Sequence, residues 1–285
     1  MDQAKRIAGR PLIMDNRYSR DSELYIKTGS IDGRTSLADY FFTAPFKIAK
    51  PFWDEQKNIL NIIVMSASAG IMEGDRYRTS LELGAGARVS LQGQSYTKIH
   101  RMPKGRAEQR NRFFLTAGAL LDYAPQPTIP YAGSSLHSVT ECFLQSGSAL
   151  LYSDIFACGR VKRGERFAFR EYKNCLKVYC QDELVLLDHQ VLLPGSQNLE
   201  GIGFFESFTH QATLAFIHDG FDRQLPDRLF DILKEYADIE FGLTEIKKCG
   251  LMVRILGNSA EHLTRVIDDL KQPLLQPQIS PFFLD

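Results

Sequence analysis

Four residues of this 285-residue chain stand where oxygen or nitrogen donors could meet a divalent metal ion: Asp75, His100, Asp122 and Asp154. Asp122 and Asp154 lie inside apolar runs, Leu120-Leu121-Asp122-Tyr123 and Leu151-Tyr152-Ser153-Asp154-Ile155. An ionised carboxylate is costly there unless it is paired, hydrogen-bonded or turned toward water. Asp75 closes Gly70-Ile-Met-Glu-Gly-Asp75 and suits either a metal ligand or a turn aspartate that accepts backbone N–H bonds. His100 ends Gln94-Ser-Tyr-Thr-Lys-Ile-His100 and leads six dispersed histidines, each of which also reads as a satisfied core or edge residue. Single carboxylates along a water-filled passage hold a passing ion weakly, which suits a carrier that must release it; a closed four-ligand site would retain it. The structural alternatives are an ion pair of Asp154 with Arg160 or Arg163, and Asp122 capping the turn through Pro125, Pro127 and Pro130.

The elements that must position these residues are strands. Period-two alternation predicts them at 23–27, 61–66, 77–83, 87–94, 111–115, 119–123, 136–143, 149–158, 165–173, 175–180 and 183–187. Three turns, Leu83-Gly-Ala-Gly-Ala87, Leu115-Thr-Ala-Gly-Ala119 and Leu144-Gln-Ser-Gly-Ser148, recur at intervals of roughly thirty residues. The recurrence fits strands stacked in layers, β-helix-like or as a two-layer body, and also fits ordinary hairpins. After Pro194-Gly-Ser-Gln-Asn the pattern becomes a small α/β part: strands at 212–218, 240–247 and 251–256, and amphipathic helices at 223–237 and 259–270. The expected division is a variable arm (1–21), a β-rich body (22–200), a C-terminal α/β part packed on it (201–271) and an apolar, proline-rich tail (272–285) that prolines 273, 277 and 281 keep irregular.

Composition narrows the function. With 44% apolar residues the chain can bury a sizeable core unaided, and 34 basic against 34 acidic residues leave no overall footprint for nucleic acid. The basic run Arg101 to Arg112 reads as a solvated or partly mobile loop, and Gly159-Arg160 to Gly164-Glu165 as a hairpin with solvated ends. No apolar run approaches the ~20 residues that cross a bilayer, and the first residues lack a signal-peptide core, so a cytoplasmic protein is expected. Five cysteines without C-x-x-C spacing fit reduced thiols. The aromatic block Phe41, Phe42, Phe46 and Trp53, flanked by Pro45 and Pro51, reads either as a packing clamp or as a partner-docking patch, and Phe282 and Phe283 raise the same question.

The blocks Phe41-Phe-Thr-Ala-Pro-Phe-Lys47, Gly70 to Asp75, Gln94 to His100, Leu121-Asp-Tyr-Ala-Pro-Gln-Pro-Thr-Ile-Pro130 and Leu151-Tyr-Ser-Asp-Ile-Phe-Ala-Cys-Gly-Arg160 resemble, in order and spacing, the UreD/UreH family of urease accessory proteins, densely from about Asp39 to Phe169. The resemblance implies a mainly β protein of stacked sheets with two C-terminal helices. It implies a non-enzymatic maturation factor that works with UreF and the GTPase UreG, in a higher-order complex with UreF, to deliver nickel to apo-urease. Nickel would be transient, with no cofactor tightly bound. On that reading Asp75, His100, Asp122 and Asp154 are candidate nickel-path residues; His100 stands where relatives commonly carry an aromatic. Two other readings stay open: a β-helical hydrolase using Asp122 and Asp154 as paired carboxylates, and an interaction module without a metal role.

Overall fold

The computed structural model describes residues 21–220, 222–246 and 249–275. The expected arm up to residue 20 and Phe282 and Phe283 of the tail lie outside the described residues. The strands are β1 (Asp21–Ile31), β2 (Arg34–Phe42), β3 (Phe46–Ile48), β4 (Phe52–Asp54), β5 (Ile59–Ser66), β6 (Arg76–Leu83), β7 (Arg88–Gly93), β8 (Thr97–Ile99), β9 (Ala107–Leu115), β10 (Leu120–Ala124), β11 (Thr128–Pro130), β12 (Ser135–Leu144), β13 (Ala149–Ala157), β14 (Glu171–Cys180), β15 (Glu183–Leu192), β16 (His210–His218), β17 (Glu240–Ile246) and β18 (Gly250–Gly257). Two helices, α1 (Leu225–Lys234) and α2 (Ala260–Leu275), interleave with the last of them.

The strands form two sheets. The smaller runs β15-β14-β12-β9-β6-β1-β2, and the larger runs β17-β18-β16-β13-β10-β7-β5-β3, with β4, β8 and β11 attached. Between β5 and β14 the chain passes back and forth between the sheets. Each return lays a strand parallel to its predecessor: β6, β9, β12 and β14 in one sheet, β5, β7, β10 and β13 in the other. The architecture is therefore a stack of coils, the layered alternative that the recurring turns left open. Those turns lie on one another. Gly86, Gly118 and Gly147 adopt φ of 65°, 68° and 71°, which a side chain opposes. The Gly86 N–H donates to Ala117 O at 3.0 Å, and Ala119 and Leu120 continue the ladder to Thr116 and Ala87.

Inward-facing residues meet like with like across the coils. Ile26, Leu81, Phe113, Cys142 and Val178 share one register row of the smaller sheet and sit in the principal core. The outer face of the larger sheet is covered by α1 and α2, through Leu225, Leu229 and Leu233 of the first and Leu263, Val266, Ile267 and Leu270 of the second. Strands β16–β18 continue the larger sheet, antiparallel to β13 and to one another. No helix among the described residues is long and apolar enough to cross a membrane.

Several expectations need correction. The strand expected at 165–173 begins only at Glu171, and Gly159 to Glu165 is not a hairpin. A short 3-10 turn (Val161–Arg163) ends at Gly164 in the left-handed region, and Arg160 folds back on Glu165 with its guanidinium 4.0 Å from the Tyr131 ring centre. The basic run is tied down. Glu73 accepts N–H bonds from Lys104 and Gly105, Arg170 donates to the Met102 and Gly105 carbonyls, and Arg110 and Arg112 stand on β9. Helix α2 runs through Pro273 to Leu275, past the expected start of the irregular tail, because burial of Leu270, Lys271 and Leu274 holds the last turn. The hairpin partner β2 was not anticipated, although Asp32-Gly33, at φ of 50° and 73°, forms the two-residue turn that joins it to β1.

A Cβ at Gly118 would meet only Gly86, at 3.8 Å, so replacement there strains φ rather than packing. Gly118→Ala is expected to lower unfolding free energy by ~1–2 kcal/mol in urea denaturation, with Gly118→Asn losing less.

Candidate functional site

Two inward rows of the smaller sheet are mostly polar. In register they read Ser22, Tyr77, Gln109, Ser138, Asn174, Gln190 and then, two residues on, Leu24, Thr79, Asn111, Thr140, Leu176, Asp188. Alternation forces this. Side chains two apart share a face, so the polar positions of each coil stand directly over those of the next. The facing row of the larger sheet supplies Asp154, Thr213 and Arg254. Hydrogen bonds knit the layer within and across the sheets: Asn111 Nδ2 to Thr140 Oγ1 at 3.0 Å, Asn174 Nδ2 to Asp154 Oδ2 at 3.0 Å, Gln190 Nε2 to Gln211 Oε1 at 3.0 Å, and Arg254 to Asp188 at 2.7 Å. Asn111 Oδ1 is buried and accepts no hydrogen bond among the described residues, leaving an oxygen lone pair facing the layer. One end of the layer reaches a cavity of about 190 Å3 lined by Tyr77, Gln109 and Phe46; the other reaches one of about 560 Å3 lined by Gln190, Gln211 and Arg254.

Asp154 is the carboxylate of this layer outside an ion pair, Asp188 being held by Arg254. Its Oδ2 accepts from the Tyr152 hydroxyl at 3.2 Å as well as from Asn174. Burial, reinforced by the negative charge of Asp188, pushes its pKa up to about 6 against the pull of Tyr152, Arg254 and Asn174. The phenols of Tyr152, Tyr172 and Tyr123 are raised in turn, first by burial and then by Asp154. Asp154 does not pair with Arg160, which is held by Glu165.

Asp122 lies on the opposite face of the same sheet, under α2. Lys271 Nζ donates to its Oδ1 at 2.6 Å with both side chains below 10% exposure, and Ser90 Oγ reaches Oδ2 at 3.4 Å. It therefore caps no proline turn. The prolines do something else. Pairing of β10 with β13 stops at Tyr123 and Tyr152, and pairing of β11 with β13 occurs at Thr128 and Phe156, so Pro125 to Pro127 leave Ser153 to Ile155 without a partner on that side. A cleft of about 560 Å3 opens there between the sheet and α2, bordered by Asp122, Gln92, Ser153, Asp154, Asp268 and Lys271. The two carboxyl groups flank this break from opposite sides. Paired glycosidase carboxylates must instead face one open cleft, and here one is capped by an ammonium and the other is turned toward Asn174.

Asp75 is a turn aspartate: its Oδ2 accepts the Met72 N–H at 2.7 Å and the Tyr77 hydroxyl at 2.9 Å, which ties it to the near end of the polar layer. His100 backs the same end. Its Nε2 lies 3.2 Å from Ala69 O, its ring meets Tyr131 edge-on at 5.0 Å, and it packs so close to Gly70 that a Cβ there would fall 2.8 Å from His100 Cδ2. Among the described residues no three His, Cys, Asp or Glu side chains gather into a metal-holding group, and none of the five cysteines forms a disulfide. In the aromatic block, Phe42, Phe46 and Trp53 pack on the core, Phe46 edge-on to Tyr77 at 5.4 Å, while Phe41 and the adjacent Phe52 are exposed.

Sequence reasoning missed Asn111, Thr140, Asn174 and Lys271. The first two stand at the same offset before their turn glycines as Thr79 does before Gly86, a signal present in the sequence; Lys271 carried none.

Residues 20–281 match the family model described as UreD urease accessory protein. Among curated relatives, the chain is similar to the urease accessory protein UreD of Acetivibrio thermocellus, 54% identical over 89% of this chain and 97% of the relative. The proteins of that name from Lachnoclostridium phytofermentans (32%; 86% and 90% covered) and Flavobacterium johnsoniae (31%; 89% and 92% covered) are similar over nearly the same span.

The buried pair gives the first of two expectations. Asp122→Asn or Lys271→Met alone strands a buried charge or its partner and should cost ~3–5 kcal/mol in urea denaturation, whereas Asp122→Leu with Lys271→Met should recover most of the loss. The second concerns Asp154, whose folded pKa of about 6 lies above its ordinary 3.8. Between those values the folded state binds the extra proton, so the group destabilises the fold above pH 6 and the penalty fades as pH falls toward 4. Asp154→Asn is expected to raise stability at pH 7.5 by on the order of 1 kcal/mol, a gain that vanishes in melts near pH 4.

Proposed function

The chain belongs to the UreD urease accessory protein family, and from that premise we propose that it is a non-enzymatic maturation scaffold that acts with UreF and UreG, in the cytoplasm, to promote nickel insertion into apo-urease. Nickel is the cargo rather than a resident cofactor, and the polar layer between the sheets is its route. The observation that carries this reading is the run of in-register polar side chains facing Asp154, from the cavity at Tyr77 and Gln109 to the cavity at Gln190 and Gln211. A soluble domain gains nothing in stability from such a layer: each amide and hydroxyl could be an aliphatic side chain that asks for no partner.

The donor set suits passage. Hydroxyl and amide oxygens, with Asp154 as the one carboxylate not held in an ion pair, bind a borderline divalent ion through oxygen, weakly, and a carrier must let go. Asp154 supplies charge midway; Asp75 and His100 flank the Tyr77 end; Asp122 borders the cleft at the sheet break. Docking of UreF or of urease would use apolar groups near the ends of the layer. Phe46 lines the first, and Ile202 and Phe204 are exposed near the second, while the exposed Phe41 and Phe52 offer a further apolar patch away from the layer's ends.

The test is reconstitution of apo-urease with nickel, UreF and UreG. Activation is expected to require this chain, and Asp154→Ala, once shown to fold, should lower the activation rate about tenfold or more. Activation that proceeds equally well without the chain sinks the scaffold reading. Activation unaffected by Asp75→Ala, Asp122→Ala and Asp154→Ala, singly and together, leaves an interaction module and removes the route.

A further inference from the structure

The side chain seated on Asp122 is a cation already. Lys271 belongs to the last turn of α2, is 5% exposed, and places its ammonium on Oδ1 of a carboxylate that is itself 7% exposed, beside a cleft that borders the break in the larger sheet. A divalent ion reaching Asp122 through that break would have to share a carboxylate whose better oxygen is occupied. It would also meet a positive charge within about one ligand distance, where repulsion in a partly dry site is strong. Only Oδ2 remains, addressed by Ser90 at 3.4 Å, and Ser90 in turn accepts from Gln92 at 2.9 Å.

The turn that carries that ammonium is anchored by Leu270 and Leu274 but lacks one backbone hydrogen bond. Pro273 lies inside α2 and has no N–H, so the Asp269 carbonyl loses its helical donor and the turn carrying Lys271 is short of one hydrogen bond. Asp268, one turn before and bordering the same cleft, offers the ammonium a second anionic position toward solvent. Lys57 also borders the cleft and adds a further positive charge at its mouth.

We propose that Lys271 is a built-in competitor for Asp122: it keeps this carboxylate from retaining a divalent cation, and yields, with the last turn of α2, when a cation does occupy it. The inference rests on the reading that a cation travels this way, and adds a residue that sets how loosely the passage holds its load. Nothing in the packing requires a lysine here, since Leu270 and Leu274 anchor the turn through apolar contacts on either side.

The experiment is titration of the full-length chain with nickel chloride alone by calorimetry. Lys271→Met is expected to bind nickel about tenfold or more tightly than the unaltered chain, and Lys271→Met with Asp122→Asn to lose that gain. No tightening in a cooperatively folded Lys271→Met, or tightening that persists without the Asp122 carboxylate, overturns the proposal. Should Lys271→Met not fold, hydrogen exchange of the unaltered chain decides: amides in 269–275 should exchange faster in excess nickel, and unchanged exchange overturns it. The maturation reading stands or falls separately, on activation of apo-urease with and without this chain.

Discussion

In-register parallel stacking is the constraint from which the rest of the molecule follows. Once β6, β9, β12 and β14 lie parallel at equal offsets from stacked glycine turns, every inward position becomes a row, and the rows tend to one character, with Leu24 and Leu176 the apolar members of a polar one. A polar residue facing an apolar neighbour 4.7–4.9 Å away would be left without a partner. The chain meets the requirement by segregation. Rows near the glycine turns are aliphatic and aromatic, the next two are mostly amides and hydroxyls with Asp188 and the facing Asp154, and beyond them Ala107, Leu136, Tyr172 and Leu192 form an apolar row again. The polar interior is thus a band across the coils between two dry clusters.

That segregation concentrates electrostatic cost in a few places. Asp188 and Arg254 form an ion pair where the two sheets approach at the far end, Asp122 and Lys271 form another beneath α2, and Asp154 alone in the layer has no cation directly on it. Its raised pKa is the mark of that position: burial and Asp188 together outweigh two hydrogen bonds and a more distant guanidinium. Structural ion pairs hold the ends and the outer face, and the unpaired carboxylate stands between the cavities.

Much of this was legible before the structure and some was not. The recurring glycine turns marked where the chain reverses, at positive φ, and fitted stacked coils and ordinary hairpins alike; the parallel pairing decided between them. Asp122 and Asp154 were rightly singled out as charges within apolar strands, but they were placed in one passage. Their parity says otherwise: counted from the preceding turn glycines, Gly118 and Gly147, one offset is even and the other odd, so they face opposite sides of the sheet. The proline-bridged break and the reach of α2 to Leu275 depend on tertiary contacts that no local pattern encodes, whereas the β2 hairpin was signalled by Asp32-Gly33 and overlooked. Lys271 lies 149 residues from Asp122, a separation across which pairwise reading of one sequence has no purchase.

The antiparallel strands at the far end of the stack have a consequence of their own. A run of parallel coils has no intrinsic length; each exposed edge is a template for another coil, from the same chain or from a neighbour. Here β14 is followed by β15 and β13 by β16, both running against the direction of the coils, and two further antiparallel steps, β18 and then β17, leave β17 at the edge running against the coils as well. A copy of the repeating strand arriving at either sheet would find the wrong polarity. The reversal works as a terminator: it fixes the number of coils and turns what would otherwise be a fibre-forming surface into a finite object.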